Sequence, residues 1–226
     1  MSSLAKRILS ALVLGPVAIA AIWYGGYAFY ALIAAVFIIG IHEWSRLSMF
    51  EGRVHWGILA LGIPYIAIAC MTAIWIRAGH EFGFYLLLYV FVAIWSCDIG
   101  AYAFGKVVGG PKMAPHLSPN KTWAGMVGGA LSAVIMVTAY DVWLESLPGN
   151  QIIEELDWPL HAMIGLILSC VGQVGDLVES ALKRRAGVKD SGNIIPGHGG
   201  LLDRIDALLL ALPVFAAVML VMEYAG

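Results

Sequence analysis

The chain has 226 residues, of which 61% are hydrophobic and 12% charged, and its formal net charge is -2. A soluble domain is roughly 45–50% apolar, so a mean hydropathy of +0.85 places this chain among integral membrane proteins. The near-neutral charge excludes a broad basic surface for nucleic acid. Cys70, Cys97 and Cys170 lie in or at the end of apolar runs, with neither metal-ligand spacing nor a pairing pattern, and read as packing residues.

In chain order, apolar segments at 8–23, 27–41, 56–76, 83–97, 124–140, 160–174 and 207–224 predict helices. Several are shorter than the roughly 20 residues of a straight membrane span. A stretch at 102–108 reads as a further buried or re-entrant piece, so about seven to nine helices are expected. Lys6 and Arg7 before the first run resemble a signal peptide, but other apolar runs follow closely, so the run reads as a retained helix. The expected fold class is all-α: a polytopic transmembrane bundle with a polar cavity facing the cytoplasm. Residues 1–97 would supply N-terminal helices, and residues 98–226 the part that carries the chemistry, packed together as one bundle.

Charge orients this bundle. With the N-terminus in the cytoplasm, seven spans put every Lys and Arg except Arg77 on the inner side, as the positive-inside rule requires. The opposite loop at 141–159 is acidic, with Asp141, Glu145, Glu154, Glu155 and Asp157, and its Trp143 and Trp158 suit an interfacial belt. The expectation is a multi-pass protein of a bacterial inner membrane with its polar site in the cytoplasm and its C-terminus outside.

Three polar stretches interrupt the apolar pattern. His42-Glu43, at the inner end of the second segment, reads as an interfacial cap paired to Arg or backbone, because adjacent helical positions face different directions. From Cys97 to Gly129, Asp98 ends an apolar helix, where a carboxylate needs a partner or a metal. Lys106, Lys112 and Lys121 follow among glycines and prolines. Ser118 or Asn120 is placed to cap the fifth helix, and a helix start beside Lys121 and Thr122 suits an anion. The GxxxxGK[ST] order of a phosphate-binding loop is missing. Taken alone, this stretch also reads as an ordinary positive-inside loop.

The third stretch, Gly172 to Asp206, is the densest. Asp176, Glu179 and Lys183 share one helical face at i, i+3 and i+7. Lys183-Arg184-Arg185 reads either as part of a site or as a topology anchor on lipid phosphates. His198, set between glycines, is poor core filler. Asp203, Arg204 and Asp206 open the last helix, so carboxylates from two elements can converge on Mg²⁺, whose oxygen ligands are completed by substrate phosphates. Carboxylates mixed with Lys and Arg point to a divalent metal and a polyanionic substrate.

This pattern resembles the phosphatidate cytidylyltransferase family. The residues are Ser180-Ala-Leu-Lys183-Arg184, Lys189-Asp190-Ser-Gly, Pro196-Gly-His198-Gly-Gly200 and Leu202-Asp203-Arg204-Ile-Asp206, preceded by Asp98-Ile-Gly-Ala-Tyr102 with Gly105 and by Ser118-Pro-Asn-Lys121-Thr122. Asn120 stands where the family usually has lysine, and Ala124 where it often has glutamate. The resemblance implies that CTP and phosphatidic acid are joined to give CDP-diacylglycerol and pyrophosphate, with Mg²⁺, K⁺ alongside it, and a homodimer. It further implies catalytic roles for Asp176, Lys183, Asp203 and Arg204. Asp176 and Asp203 would be the main metal ligands, with Asp206 and Asp98 binding directly or through water. Lys112, Ser118, Lys121, Thr122, Lys189 and His198 would contact substrate, His198 without acting as base, and Glu179 would pair Lys183. Two other readings stay open at this point: another CTP-using lipid enzyme, such as a polyprenol kinase or an ether-lipid cytidylyltransferase, and a membrane transporter.

Overall fold

The computed structural model describes residues 3–146 and 158–225. Glu154, Glu155 and Asp157 of the expected acidic loop lie outside the described residues. The described elements are helices α1 (Ser3–Tyr24), α2 (Gly26–Leu47), α3 (Trp56–Gly79), α4 (Gly83–Val107), α5 (Trp123–Glu145), α6 (Trp158–Arg185) and α7 (Leu202–Ala225), with short hairpin strands β1 (Met49–Phe50), β2 (Arg53–Val54), β3 (Lys112–Ala114) and β4 (Ser118–Thr122). Helices α2 to α7 are long and apolar enough to cross a membrane, and α1 adds the shorter apolar run Leu12–Tyr24. The expected all-α polytopic bundle is therefore present, and each of the seven expected segments falls within one helix.

The expected separate piece at 102–108 is not separate. Helix α4 runs unbroken through Asp98 to Val107. Gly100 serves packing: a Cβ at Gly100 would stand 2.8 Å from the Gly128 carbonyl of α5. The reverse face matches, since Cβ atoms at Gly125 and Gly129 would stand 2.8 Å from the carbonyls of Ala101 and Cys97. The Gly125-x-x-x-Gly129 spacing thus lets two backbones approach within a membrane, where close packing replaces the hydrophobic effect as the cohesive force. Helix α6 also outruns its predicted segment. Its 28 residues span about 42 Å at ~1.5 Å per residue, against a hydrocarbon core of about 30 Å. The polar turns after Gly172 keep helical spacing and carry α6 beyond that core.

Connections are short. Gly25 has φ 66°, which makes a one-residue turn between α1 and α2 possible. Arg77 closes that turn by donating from Nε to the Ile22 carbonyl at 2.6 Å and from Nη2 to the Trp23 carbonyl at 2.8 Å, satisfying carbonyls that α1 leaves unpaired. One buried cluster joins α4 to α7 with Ile22 and Phe29. A second joins α2, α3 and α7 through Trp44, Leu47, Ile66, Leu202 and Leu209. Trp44 enters the second cluster by lying over Gly62, where a Cβ would overlap the indole, and its Nε1 donates to the Ile58 carbonyl at 2.8 Å. Large apolar side chains such as Leu12, Leu61, Ile99, Leu131 and Val221 point outward, as a lipid-facing surface requires.

Candidate active site at one end of the bundle

The polar groups gather where α6 ends, α7 begins and the β3–β4 hairpin folds back. Helix α6 closes with Val188 N donating to the Lys183 carbonyl and Gly187 N to the Arg184 carbonyl, at 2.9 and 3.1 Å, with Gly187 at φ 70°. That is the paired bond pattern of a glycine-terminated helix. The connection 186–201 then turns back on itself: His198 N donates to the Ile195 carbonyl at 2.9 Å and Ile195 N to the Gly199 carbonyl at 3.0 Å.

Two carboxylates fasten this connection. Asp203 Oδ2 accepts from Gly200 N at 2.8 Å and Ser191 N at 2.9 Å and shares the Ser191 hydroxyl, 3.0 Å away, with Glu43, while its Oδ1 lies 2.6 Å from Lys183 Nζ. Glu43, fully buried, reaches across from α2. Its Oε1 accepts from Leu201 N, and its Oε2 accepts from Leu202 N and Ser191 Oγ, all at 2.9 Å. A buried carboxylate is tolerated only when it is this fully hydrogen-bonded, and two of its donors are N–H groups at the start of α7, where negative charge is stabilised. Gly200 has to be glycine, because a Cβ there would stand 2.5 Å from Glu43 Oε2 and 2.6 Å from Gly192 N.

The His42-Glu43 pair therefore differs from its expected form. Glu43 is paired to backbone, as expected, but it is no surface cap; it is the internal bolt between α2 and α7. His42 is exposed. Asp203, expected as a main metal ligand, has both oxygens engaged by the loop and by Lys183. Lys183, expected in a catalytic role, is enclosed between Asp203 and Glu179 Oε1 at 2.6 and 3.1 Å, with its side chain 12% exposed.

A second group is more open. Lys121 Nζ on β4 lies 2.5 Å from Asp176 Oδ2 on α6, with the carboxylate one-third exposed, and Ser180 Oγ donates to Asp176 Oδ1 at 3.3 Å. Asp98 of α4 and Asp206 of α7 interact electrostatically with Asp176 and with each other, and Lys121 and Arg204 act on Asp98. Asp98 and Arg204 are exposed. The hairpin carrying Lys121 is held to α6 by Arg184, whose Nε donates to the Leu117 carbonyl at 3.2 Å. Neither Ser118 nor Asn120 caps α5; Thr122 does, its Oγ1 accepting from Gly125 N at 3.0 Å. Ser118 is the partner of Ala114 in the hairpin instead, so the strand continues past both candidates before the helix starts.

The remaining expected contacts scatter around this centre. Lys112 is exposed on β3. Lys189 is exposed and lines a cleft of about 320 Å³ together with Arg46, Met49 and residues 190–193. His198 Nδ1 lies 2.7 Å from Ser10 Oγ, which also donates to the Pro196 carbonyl at 3.1 Å, so α1 is tied to the glycine loop. Ser10 is not singled out from sequence, Ser191 enters only within the Lys189-Asp190-Ser-Gly motif, and Glu43 reads there as an interfacial cap. Glu43 carried a usable signal, since it is an acid at the end of an apolar helix, the same cue that marked Asp98.

Among the described residues, no group of three or more His, Cys, Asp or Glu side chains is close enough to form a ready-made metal site. The donor set nonetheless suits Mg²⁺. Asp98, Asp176 and Asp206 offer hard oxygen ligands from three helices around one electrostatic centre, and Mg²⁺ commonly takes one or two carboxylates and completes its shell with water and substrate phosphate.

Comparison with known proteins identifies the chain at this point. A cytidylyltransferase family profile matches residues 5–79 and 51–222. A phosphatidate cytidylyltransferase of Brucella suis is 34% identical over 258 aligned positions, covering 93% of this chain and 91% of the relative. One from Rickettsia bellii is 37% identical over 217 positions, covering 94% and 89%, and one from Bacillus subtilis is 43% identical over 159 positions, covering 70% and 55%. With a family match over most of its length and the signature loop built around Asp203 and Glu43, the chain belongs to the phosphatidate cytidylyltransferase family.

Proposed function

We propose that the protein transfers the cytidylyl group of CTP to phosphatidic acid, with release of pyrophosphate, on the cytoplasmic side of a bacterial inner membrane. The observation that carries this reading is the juxtaposition of Lys121 and Asp176, with Asp98, Asp206 and Arg204 around them, at the end of the bundle where α6 leaves the hydrocarbon. A phosphate headgroup reaches that level from the lipid, and a nucleotide reaches it from water.

The lipid phosphate is already a nucleophile, so no strong general base is needed. The obstacle is electrostatic, because one anion must approach another and a pyrophosphate must leave. Mg²⁺, held by Asp98, Asp176 and Asp206, would offset triphosphate charge when bound. Lys121 neutralises Asp176 in the free protein; a triphosphate competes with that carboxylate for the lysine and draws it to phosphate. Arg204 is exposed beside the acids and forks onto phosphate oxygens. Lys112 and Lys189, both exposed, would add further positive charge for the nucleotide. Lys183 and Asp203 set the shape of the glycine connection and hold its amides in place, and His198 is oriented by Ser10. A monovalent cation such as K⁺ would add to the charge offset.

The test is an assay of the purified protein in detergent with radiolabelled CTP, phosphatidic acid and Mg²⁺, with and without EDTA. Label entering the lipid phase together with pyrophosphate, both abolished by EDTA, is the expected result. A folded, CTP-binding protein that forms no lipid-linked cytidine from phosphatidic acid would overturn the substrate assignment.

A further inference from the structure

At the other end of the bundle, α4, α5, α6 and α7 enclose a second cavity of about 200 Å³. Leu86, Ile164, Phe215 and Met219 are among its apolar walls, and Tyr89, Asp141 and His161 make its polar face. These three side chains are 6%, 4% and 4% exposed. His161 Nδ1 bonds directly to Asp141 Oδ2, which fixes the imidazole. Tyr89 Oη, Asp141 Oδ1 and His161 Nε2 are then left buried without a hydrogen-bond partner among the described residues. Neighbouring Tyr140 shows the contrast, donating to the Tyr85 carbonyl at 3.1 Å. Buried polar atoms are nearly always paired, so three orphans around one cavity mark a missing ligand. Nothing in the proposed reaction uses them, since Asp141 is four residues from the C-terminal end of α5 and His161 three from the N-terminal end of α6, remote from Asp176 and Asp206.

We infer that this cavity binds the hydroxyl end of an amphipathic alcohol. A hydroxyl both donates and accepts. Its single hydrogen donates to Asp141 Oδ1 or to a lone pair on His161 Nε2, and its oxygen accepts from the Tyr89 hydroxyl. An ammonium offers no acceptor, and a phosphate or carboxylate would meet the Asp141 charge. The apolar walls receive the adjoining methylene chain. Trp143 and Trp158, both exposed, stand at the same ends of α5 and α6 and mark the membrane interface from which a chain enters. The hydroxyl belongs either to a glycerol-headed lipid or to a free long-chain alcohol.

The experiment uses the full chain in phosphatidylcholine nanodiscs and does not depend on the cytidylyl-transfer reading. Thermal unfolding midpoints are recorded against 1-decanol, monodecanoylglycerol and decyl methyl ether, the last having no hydroxyl. A saturable rise of several degrees with an alcohol, absent with the ether and lost in Tyr89→Phe and His161→Leu, is the expected result. The stronger of the two alcohols identifies the source. Tyr89→Phe removes a single oxygen, so it decides the matter even if His161→Leu does not fold. No saturable rise with either alcohol would mean that water alone fills the cavity; that result, an equal rise with the ether, or an undiminished rise in Tyr89→Phe would each overturn the inference.

Discussion

At the scale of single residues, Asp176 and Glu43 show two uses of a carboxylate in one molecule. Asp176 is one-third exposed and held by a lysine that a polyanion can take over. Asp176→Asn keeps the shape and removes the charge, so it is expected to lower kcat about 100-fold or more, while detergent gel filtration shows folded protein; near-normal turnover in Mg²⁺ would count against its place in the site. Glu43 is sealed and saturated by three donors. Glu43→Ala strands those donors and is expected to cost roughly 3 kcal/mol, read as a lower denaturation midpoint and faster proteolysis within 186–201. Glu43→Gln keeps an acceptor carbonyl and should retain part of both. Equal behaviour of the two variants would show that charge at the start of α7, and not hydrogen bonding, is what Glu43 supplies.

At the scale of elements, the α4–α5 contact decides whether Asp98 and Lys121 share a site. Asp98 rides on α4, and Lys121 lies two residues before α5. Gly100, Gly125 and Gly129 let the two backbones meet. Gly125→Leu or Gly129→Leu wedges them apart, and the expected outcome is a raised KM for CTP together with weaker stability. Gly15→Leu on α1, where nothing lies within 4 Å of a Cβ, is the control and should change neither. The same geometry separates two uses of glycine between 100 and 110. Gly109 and Gly110, at φ 67° and 93°, do break the chain, whereas Gly100 is a contact surface inside a continuous helix.

At the scale of the whole molecule, the polar centre and the Arg77 turn lie at opposite ends. With the half-buried Cys170 replaced by Ser and Cys70 and Cys97 buried, Arg46→Cys and Lys189→Cys are therefore expected to react with an impermeant maleimide from the cytoplasmic face only, and Arg77→Cys from the other face only. Labelling of all three from one face would overturn the orientation. Arg77→Ala should leave kcat unchanged, because it is remote from the site. It strips two charge-assisted bonds from the end of α1, at a stability cost of about 2 kcal/mol.

Much of this was legible without coordinates. Membrane insertion, the seven apolar segments, the clustering of cations toward one side and the signature from Ser180 to Asp206 follow from composition, span length and short-range spacing, which are properties of the chain as a line. The continuous α4, the length of α6 and the Thr122 cap differ from expectation because glycine and polar residues carry two local meanings that only neighbours in space distinguish. Which acid stays open and which is enclosed by the protein was likewise a tertiary decision. Asp203 and Asp176 look equivalent in sequence, yet one meets Ser191, Gly200 and Lys183 in a closed loop and the other meets Lys121 and Ser180 in the open. Glu43 acts on residues about 150 positions away, and the Asp141–His161 pair closes a cavity between helices whose facing sides no periodicity reveals. Sequence determined what the chain is made to dissolve in and which family it joins; the fold decided which charges are structural and which are free to act, because burial and hydrogen-bond partners are set by contacts across the bundle.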